Sequence, residues 1–349
     1  MIELHKHIKS GIGRCLGMMA ACTLLGLLMQ SCDKDEPEQL AINFNASSIE
    51  PMETTMRGII KEDAHLQNVG FVLYGYITST GGENTQVFSD QKVTYEGDAW
   101  VYSPVQFWFR SPYYHFGAYA PATLNGISVV SNSDHTLTFT MPYWQVLNEN
   151  ATDLIVATSE GSASDYVSNH SGIVNLNFGH VQTAFEVQLK KKPELENEYI
   201  LKNLSYSNVP ESSGTATYTF NYETVGNSTM STIALGDKMI CSNANAVIGK
   251  GTTESPAATF SHLLVPFKSS DSNKVTLSVT YIAGLGAGQT FEYTRQITTD
   301  LTAMQAGKKY TLVLTFAGGE EIIPELQIAD WSIAKWDDQD IEEIPKYNW

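Results

Sequence analysis

Alternation of apolar and polar side chains with a period of two is the feature that most restricts how this chain can fold. The clearest run, residues 275–281, places an apolar residue at every odd position and a threonine or serine at every even one. Residues 310–316 repeat the alternation, and residues 174–189 follow it more loosely. Successive side chains of a strand point to opposite faces of a sheet, so each run predicts a strand with one buried face.

Short clusters of turn-forming residues separate these runs along the body of the chain. Gly, Pro, Asn, Asp and Ser concentrate in four of them, at residues 80–84, 131–134, 210–214 and 284–288. Parallel βαβ units would need an amphipathic helix between successive strands, and helical runs are scarce here. The pattern therefore predicts an all-β protein made of antiparallel β-sandwiches.

The length of the chain, 349 residues, favours two domains, because single hydrophobic cores seldom grow beyond about 250 residues. The best candidate boundary is the charged stretch 190–194, which contains Pro193 and lies between two strand-rich halves. One short helix is expected at residues 299–305, ended by Gly307.

The composition describes a packed but strongly acidic protein. Apolar residues make up 42% of the chain and aromatic residues 11%, which favours a folded core over disorder. Asp and Glu number 38 against 21 Lys and Arg, giving a formal net charge of −17. Nucleic acids and anionic lipids are bound chiefly through Lys and Arg, so no nucleic-acid partner is expected.

The N-terminus has the pattern of an export signal. Lys6, Lys9 and Arg14 precede an uncharged, mostly apolar run at residues 15–29, which is too short to span a bilayer. Residues 28–32 resemble a bacterial lipobox, in which the final cysteine is acylated before the signal peptide is cut off. This predicts a signal peptide at 1–31 and lipidation of Cys32, with several acyl chains holding the protein on a membrane. The alternative is an ordinary signal peptide with an incidental cysteine.

The residues behind Cys32 and the other cysteines fit the same interpretation. The acidic stretch 33–38 resembles the surface-export signals of some Gram-negative lipoproteins, the alternative being a flexible spacer. Cys15 and Cys22 lie in the signal peptide, so no internal disulfide is predicted. Cys241 is expected to be a buried small hydrophobe, because no histidine that could act as its base lies near it in sequence.

Motifs that would carry chemistry are weak throughout the chain. The glycine-rich residues 284–288 precede another strand pattern, so they predict a hairpin turn and not a phosphate loop. Two S-x-x-K matches, at 89–92 and 332–335, lack the companion motifs of penicillin-recognising enzymes. The six histidines beyond the predicted signal peptide are scattered and have no zinc-ligand spacing, and the acidic residues 337–343 lack the pattern of a calcium loop. We therefore expect no catalytic residue, no metal and no cofactor.

Aromatic residues are densest between residues 100 and 119, where nine of them occur. Exposed aromatic faces can stack on sugars, so a carbohydrate platform is one interpretation. Alternation of Tyr114, Phe116 and Ala118 on one strand face favours the other, in which these side chains pack in a sandwich core.

Several segments, taken in order, resemble the fimbrillin family of lipoprotein pilins, the subunits of type V pili. They are residues 68–76, 93–95, 100–104, 114–121, 153–157, 174–180 and 306–310. The resemblance extends from the lipobox to about residue 336. It implies two transthyretin-like β-sandwich domains in tandem, on a lipidated precursor that is exported to the outer membrane. There a trypsin-like protease removes a first strand, and a strand from another subunit fills the groove left open.

By position, the resemblance identifies Gln39–Ser48 as the first strand, where Leu40, Ile42 and Phe44 alternate. The predicted cleavage follows Arg57, in a turn-prone stretch next to Gly58, and the donor strand is expected at about Leu326–Trp336. The polar extension 337–349 departs from a stalk subunit that ends on its donor strand, so tip, anchor and accessory roles stay open.

The predicted organisation is a signal peptide (1–31), a lipidated leader with a removable strand (32–57), and two sandwich domains (58–190 and 191–349). The predicted function is that of a non-enzymatic fimbrial subunit that assembles by strand exchange and contributes to adhesion. Its partners would be other pilin subunits, the outer membrane through the lipid anchor, and a host or bacterial surface ligand. The alternative function is that of a monomeric outer-membrane lipoprotein that binds glycans through exposed aromatic residues.

Overall fold

The structure is a computed structural model. It describes residues 40–47, 63–78, 83–109, 112–124, 126–132, 136–141, 153–210, 216–220, 229–230, 235–241, 246–248, 256, 258–268, 273–284 and 289–330. All the packing reported below lies within residues 42–349.

Strands dominate these residues. In chain order they are β1 (Asn43–Ser47), β2 (Phe71–Thr78), β3 (Asn84–Glu96), β4 (Ala99–Val101), β5 (Tyr113–Ala120), β6 (Ser128–Ser131), β7 (Leu137–Met141), β8 (Ile155–Ser162), β9 (Ile173–Asn177), β10 (Gly179–His180), β11 (Thr183–Lys191), β12 (Tyr199–Pro210), β13 (Ala216–Phe220), β14 (Thr229–Met230), β15 (Leu235–Cys241), β16 (Ala246–Ile248), β17 (Ala258–Leu264), β18 (Phe267–Lys268), β19 (Thr276–Gly284), β20 (Thr290–Thr298), β21 (Ala303–Met304), β22 (Lys308–Gly318) and β23 (Glu321–Asp330).

The strands form several sheets. The largest has the order β10–β8–β5–β2–β3–β4, and three others run β14–β13–β7–β6, β17–β11–β22–β23 and β15–β12–β19–β20, with β16 also paired to β12. Two short sheets consist of the pairs β1–β9 and β18–β21. Neighbouring strands are antiparallel except in the pairs β1–β9 and β11–β22. The prediction of an all-β protein with antiparallel sheets is confirmed.

Two short helices interrupt the described strands, α1 (Asp63–Val69) and α2 (Ala163–Asn169). Ser162 caps α2, because its hydroxyl accepts a hydrogen bond from the Asp165 N–H at 3.1 Å. Gly70 ends α1 with a φ of +63°, and a Cβ at this position would lie 2.7 Å from the Val93 carbonyl oxygen. Only glycine fits this tight exit from the helix into β2.

The prediction of a helix at residues 299–305 is wrong. That stretch contains the short strand β21, which pairs with β18. The Thr299 hydroxyl donates to the Val275 carbonyl at 2.8 Å, and Leu301 and Met304 are buried in the core. An isolated seven-residue helix is marginal, so these contacts with distant strands decide its conformation.

Buried apolar side chains form two clusters. The first, which we call the aromatic cluster, joins the inner sides of β1 and β9 to one face of the six-stranded sheet. The second joins the opposite face of that sheet to β6, β7 and the sheets built from later strands. Alternate residues of β2 enter different clusters, Phe71 and Leu73 the first, Val72 and Tyr74 the second. The six-stranded sheet is therefore covered on both faces.

Hydrogen bonds cross the candidate boundary at residues 190–194. Strand β11, which precedes the boundary, pairs with β17 and β22, and β7 pairs with β13. The division of the chain into tandem domains at residues 190 and 191 stays a prediction.

Candidate functional site

The described part of the predicted first strand is residues 40–47, which includes β1, and it lies with one side in the core. Ile42, Phe44 and Ala46 are buried, with exposed fractions of 0%, 6% and 7%, while Asn43 and Asn45 between them are exposed. Leu40 is also exposed. Of the three alternating apolar residues, Ile42 and Phe44 are therefore buried and Leu40 is exposed.

A single ladder of main-chain hydrogen bonds pairs β1 with β9. Its five residues pair in parallel with β9, from Asn43 opposite Ile173 to Ser47 opposite Asn177. Within the described residues, no strand pairs with the other edge of β1. Such an arrangement leaves one edge of a short strand without strand partners.

The beginning of this strand has an additional main-chain attachment. The Ile42 N–H donates to the Gln106 carbonyl at 2.9 Å, and the Ile42 carbonyl accepts from the Tyr102 hydroxyl at 2.7 Å. The Tyr102 hydroxyl accepts in turn from the Gln106 N–H at 3.2 Å. Burial raises the pKa of Tyr102, although the hydrogen bond to the Gln106 backbone lowers it somewhat. The neutral phenol therefore keeps its proton for the Ile42 carbonyl at physiological pH.

Aromatic rings surround Phe44. Its ring meets the rings of Tyr102, Phe88 and Phe116 edge to face, with centroid distances of 5.6, 5.7 and 5.8 Å. Gly75 allows Phe88 and Phe116 to lie this deep, because a Cβ there would come within 2.6 Å of the Phe88 ring. Edge-to-face contacts of this kind contribute about 0.5–1.5 kcal/mol each beyond the apolar area that they bury.

The outer side of β1 is polar and contacts β9 through side chains. The Asn45 amide donates to the Asn175 side chain at 3.2 Å, and the Ser47 hydroxyl donates to the Asn177 side chain at 3.1 Å. We call the space that β1 occupies, between β9 and the Tyr102–Gln106 segment and above the aromatic cluster, the β1 groove.

The residues predicted for processing and anchoring lie elsewhere in the chain. Cys32 and Arg57 fall outside the described residues, and so do Gln39 and Ser48 at the predicted ends of the first strand. Cys241 is the last residue of β15, and its predicted burial stays a prediction. None of the helices in the described part of the chain combines the length and apolar character that crossing a bilayer requires.

The predicted donor segment is described only up to Asp330. Residues 326–330 belong to β23, which forms an antiparallel hairpin with β22. β23 is an edge strand of its sheet. Alternate side chains of β23, including Ile322, Leu326 and Ile328, pack partly against the second cluster. The remaining residues of the donor segment, 331–336, lie outside the described residues.

Most of the aromatic residues between 100 and 119 are core residues, as the alternation predicted. Trp100, Trp108, Tyr114, Phe116 and Tyr119 are buried. Three others are exposed on the surface, namely Phe107, Phe109 and Tyr113. The sequence pattern did not separate these three from their buried neighbours.

The histidines that the structure describes serve packing and hydrogen bonding. The Nδ1 atom of His180 lies 3.0 Å from a carboxylate oxygen of Asp153. The Nδ1 atom of His115 lies 3.1 Å from a carboxylate oxygen of Glu160. His262 is buried against the ring of Tyr206. In the described ranges, no three His, Cys, Asp or Glu side chains are grouped in a way that could hold a metal ion.

Comparison with known proteins gives a family for this fold. The model of a family described as fimbrillin-like matches residues 65–331. A fimbrial protein from Bacteroides vulgatus has a TM-score of 0.61 at 17% identity, with 84% of this chain and 99% of that chain covered.

Two further structures match less closely. A putative cell adhesion protein from Bacteroides uniformis has a TM-score of 0.47 at 16% identity, covering 85% of this chain and 99% of the other. The tip fimbrial protein Mfa3 from Porphyromonas gingivalis has a TM-score of 0.40 at 9% identity, covering 83% and 100%. No curated protein matches the sequence.

Proposed function

The chain belongs to the fimbrillin-like family, and on that premise we propose that β1 is a temporary occupant of its groove, later replaced by a strand of a second subunit. Proteins of this family are structural, non-enzymatic components of cell-surface fimbriae. The finer proposal concerns how subunits are joined: a lipid-anchored precursor is cut, β1 leaves, and a donated strand completes the sandwich.

The seating of β1 is the observation that carries this proposal. A strand that is held by one parallel ladder and by buried side chains at alternate positions can be replaced by any strand with the same pattern. Once β1 is gone, the edge of β9 would have unpaired N–H and C=O groups above an apolar slot lined by Phe88, Tyr102 and Phe116. Such a slot favours binding another strand over exposure to water.

Cleavage after Arg57 would sever β1 from the rest of the chain. Arg57 lies between β1 and α1, so a cut there leaves the strand attached only through its own ladder and side chains. We include this cut, the lipid on Cys32 and the division into domains at 58–190 and 191–349 in the proposal.

The test is limited digestion of the full chain with an arginine-specific protease. We expect a new N-terminus at Gly58 and, after release of β1, a ladder of oligomers that resists mild detergent. An Arg57→Gln chain, treated in the same way, should keep β1 and stay monomeric. A synthetic peptide of residues 39–48 should suppress the oligomers by refilling the groove, whereas a scrambled peptide should not.

A second candidate function is binding of glycans at the surface, and the exposed side chains of Val105, Phe107 and Phe109 favour it. Phe107 and Phe109 flank the buried Trp108 in the sequence. A cut chain that stays monomeric and whose tryptophan fluorescence changes on adding saccharides would support this function and refute strand exchange.

A further inference from the structure

Strand β20 is a long edge strand whose outer side is open to another strand. Its nine residues pair with β19 on one side. No strand in the described part of the chain pairs with its other side. The main-chain N–H and C=O groups along such an edge are a template for a further strand. β20 can therefore extend its sheet by pairing with a strand of a partner.

A comparison with β23, an edge strand of another sheet, shows that β20 lacks the features that prevent such pairing. β23 contains Pro324, which has no N–H to donate, and the carboxylates of Glu321 and Glu325. β20 contains no proline, and its charged residues are Glu292 and Arg295, so the strand is neutral. In a chain with a net charge of −17, a neutral edge is the part that an equally acidic second copy can approach.

The side chains of β20 form two rows, because successive residues of a strand point to opposite faces. The outward row is polar and exposed, and it consists of Thr290, Glu292, Thr294, Gln296 and Thr298. The inward row begins at Phe291, which is 47% exposed, and ends at Ile297, which is 8% exposed. Phe291 is therefore an aromatic side chain on the inward face that this chain by itself leaves half open.

The sequence of β20 is complementary to itself about a two-fold axis at Thr294. Such an axis is perpendicular to the extended sheet, so opposite residues belong to the same row and lie at equal distances from Thr294. The resulting pairs are Thr290 with Thr298, Phe291 with Ile297, Glu292 with Gln296, Tyr293 with Arg295, and Thr294 with itself. They join hydroxyl to hydroxyl, aromatic ring to aliphatic side chain, carboxylate to amide, and ring to cation, all of which are favourable across strands.

The outward row already makes contacts of this kind with β19. The hydroxyls of Thr280 and Thr294 lie 3.0 Å apart, and the Gln296 amide donates to the Ser278 hydroxyl at 3.0 Å. A glutamine amide has two N–H bonds, so Gln296 can also donate to Glu292 of a second copy. A partner strand would thus continue the existing row of polar contacts across the new edge.

Other positions of the axis give poorer pairing. An axis at Arg295 sets two guanidinium groups opposite each other, and an axis at Glu292 sets two carboxylates opposite each other, and like charges in that position are destabilising. An axis at Tyr293 avoids both but leaves Ile297 and Thr298 without partners in β20. Thr294 is the middle residue of the strand, so the axis there pairs all nine residues.

An open cleft beside β20 lies where the half-exposed ring of the second copy arrives. The cleft has a volume of about 400 Å³ and is lined by residues 295–297 and residues 320–322. Ile297 and Ile322 contribute apolar side chains to it, and Arg295 forms an ion pair with the Glu320 carboxylate. Because Phe291 of the second copy lies opposite Ile297, its ring is brought to this cleft. The two-fold axis repeats the same contact in the other copy.

We propose that β20 pairs with β20 of a second copy of this chain, antiparallel and about a two-fold axis at Thr294. The sheets of the two copies then become one continuous sheet, and Phe291 of each copy enters the cleft of the other. This contact leaves the β1 groove unused, so it goes beyond the proposed function and joins chains side by side.

The contact is weak in dilute solution and forms where copies are concentrated. One strand edge buries less area than a stable dimer interface requires, so the free chains remain monomeric at low concentration. Copies that are held on one membrane or aligned in a filament have a high effective concentration for each other. Under those conditions the edges of β20 associate.

Disulfide trapping tests the axis with a single substitution. At the axis, Thr294 lies opposite Thr294 of the other copy at about 5 Å, which suits a disulfide. Gln296 lies in the same exposed row, but it is four residues along the strand from Gln296 of the other copy, a separation of roughly 14 Å. Gln296→Cys is therefore the matched control for Thr294→Cys.

The experiment uses full chains whose four native cysteines are replaced by serine and that carry Arg57→Gln, so that processing cannot start. Each variant is oxidised mildly at increasing protein concentration. We expect several-fold more covalent dimer on a non-reducing gel from Thr294→Cys than from Gln296→Cys. A mixture of Glu292→Cys and Gln296→Cys chains should also cross-link, because these residues are opposite in this register. Equal yields from the two single variants would indicate parallel pairing or random collision and would overturn the proposal.

A second measurement needs no cysteine. Thr294→Lys places two ammonium groups opposite each other at the axis, so it should weaken self-association several-fold in analytical ultracentrifugation of concentrated protein. Thr298→Lys, on the same row, would face Thr290 and should associate like the parent. Equal association of all three proteins would contradict the pairing of β20.

These results separate the inference from the proposed function. A dimer trapped through residue 294 in the uncut chain supports lateral pairing even if the cut chain forms no ladder of oligomers. A ladder after the cut, with no excess of dimer through residue 294, would overturn lateral pairing and leave strand exchange standing.

Discussion

At the scale of single residues, Tyr102 joins the polar and apolar parts of the β1 groove. Its ring packs against Phe44 and Phe88, and its hydroxyl donates to the Ile42 carbonyl. A bond to a main-chain carbonyl does not depend on the side chain of the bound residue. The hydrogen bond from Tyr102 would therefore form with a bound strand of different sequence, whereas the ring contact depends on the residue at position 44.

Another single residue makes the stability of the fold depend on pH. Burial lowers the pKa of the His262 imidazole to about 4, and neither ring nitrogen has a hydrogen-bond partner among the described residues. The unfolded chain binds a proton there near pH 6.5, while the folded chain resists protonation down to about pH 4. The unfolded state is thus favoured progressively as the pH falls through that window.

We predict that His262→Leu reduces the loss of stability between pH 6.5 and 4. The parent should lose about 1.4 kcal/mol per pH unit through this residue, roughly 3 kcal/mol in all, and the variant should not. Urea unfolding at several pH values measures the difference. The exposed His170→Leu variant is the control, and equal pH dependence of parent and His262→Leu would contradict the prediction.

At the scale of elements, β1 is held both by a main-chain ladder and by buried side chains. Its main chain contributes one short parallel ladder, so much of its binding must come from Ile42, Phe44 and Ala46. Fully burying a large apolar side chain is worth about 1.5–3 kcal/mol. Replacing one of these side chains should therefore free the strand without any cut in the chain.

We predict that Phe44→Asp makes the uncut chain behave as if it had been processed. Loss of the ring and burial of an unpaired carboxylate should destabilise the seated strand by about 3 kcal/mol or more. Amide exchange in residues 42–47 should accelerate, and oligomers should appear before cleavage. Hydrogen exchange with mass spectrometry and size-exclusion chromatography measure the two effects.

The control for this variant is Asn45→Asp, which introduces the same side chain one position further along on the outward face. It removes at most the hydrogen bond to Asn175, so we expect nearly parental exchange and a monomer. Equal behaviour of the two variants would show that the inward side chains do not hold β1.

At the scale of the whole molecule, the fimbrillin-like family indicates a cell-surface location, and our proposal adds a stable attachment to the membrane. Acyl chains on Cys32 would provide this, since each buried methylene contributes about 0.8 kcal/mol and several chains together anchor a protein stably. The acidic surface, with a net charge of −17, would not attract anionic lipid by itself.

We predict that Cys32→Ala moves the protein from the detergent-extracted membrane fraction to the soluble fraction. Cys241→Ala, which also removes one thiol, should leave the partition unchanged. Immunoblots of the fractions give the measurement. An unchanged partition of the Cys32→Ala protein would refute the lipid anchor.

The sequence was most informative where a sheet has one buried and one partly exposed face. Residues 275–281 alternate in sequence, and β19 alternates in burial. Strands β2 and β5 are buried on both sides, so their apolar residues form nearly continuous runs with little alternation. The helix expected at 299–305 failed for a related reason, because contacts with distant strands override a weak local preference.

The sequence by itself determined the all-β class, the strands with one exposed face, the non-enzymatic character and, for the first strand, the inward positions of Ile42 and Phe44. Only the tertiary structure decided that β1 runs parallel to β9, that Tyr102 binds the Ile42 carbonyl just before β1, and that Phe88 and Phe116 enclose Phe44. The physical reason is that alternation is a local consequence of strand geometry, whereas pairing direction and ring contacts join residues far apart in the chain.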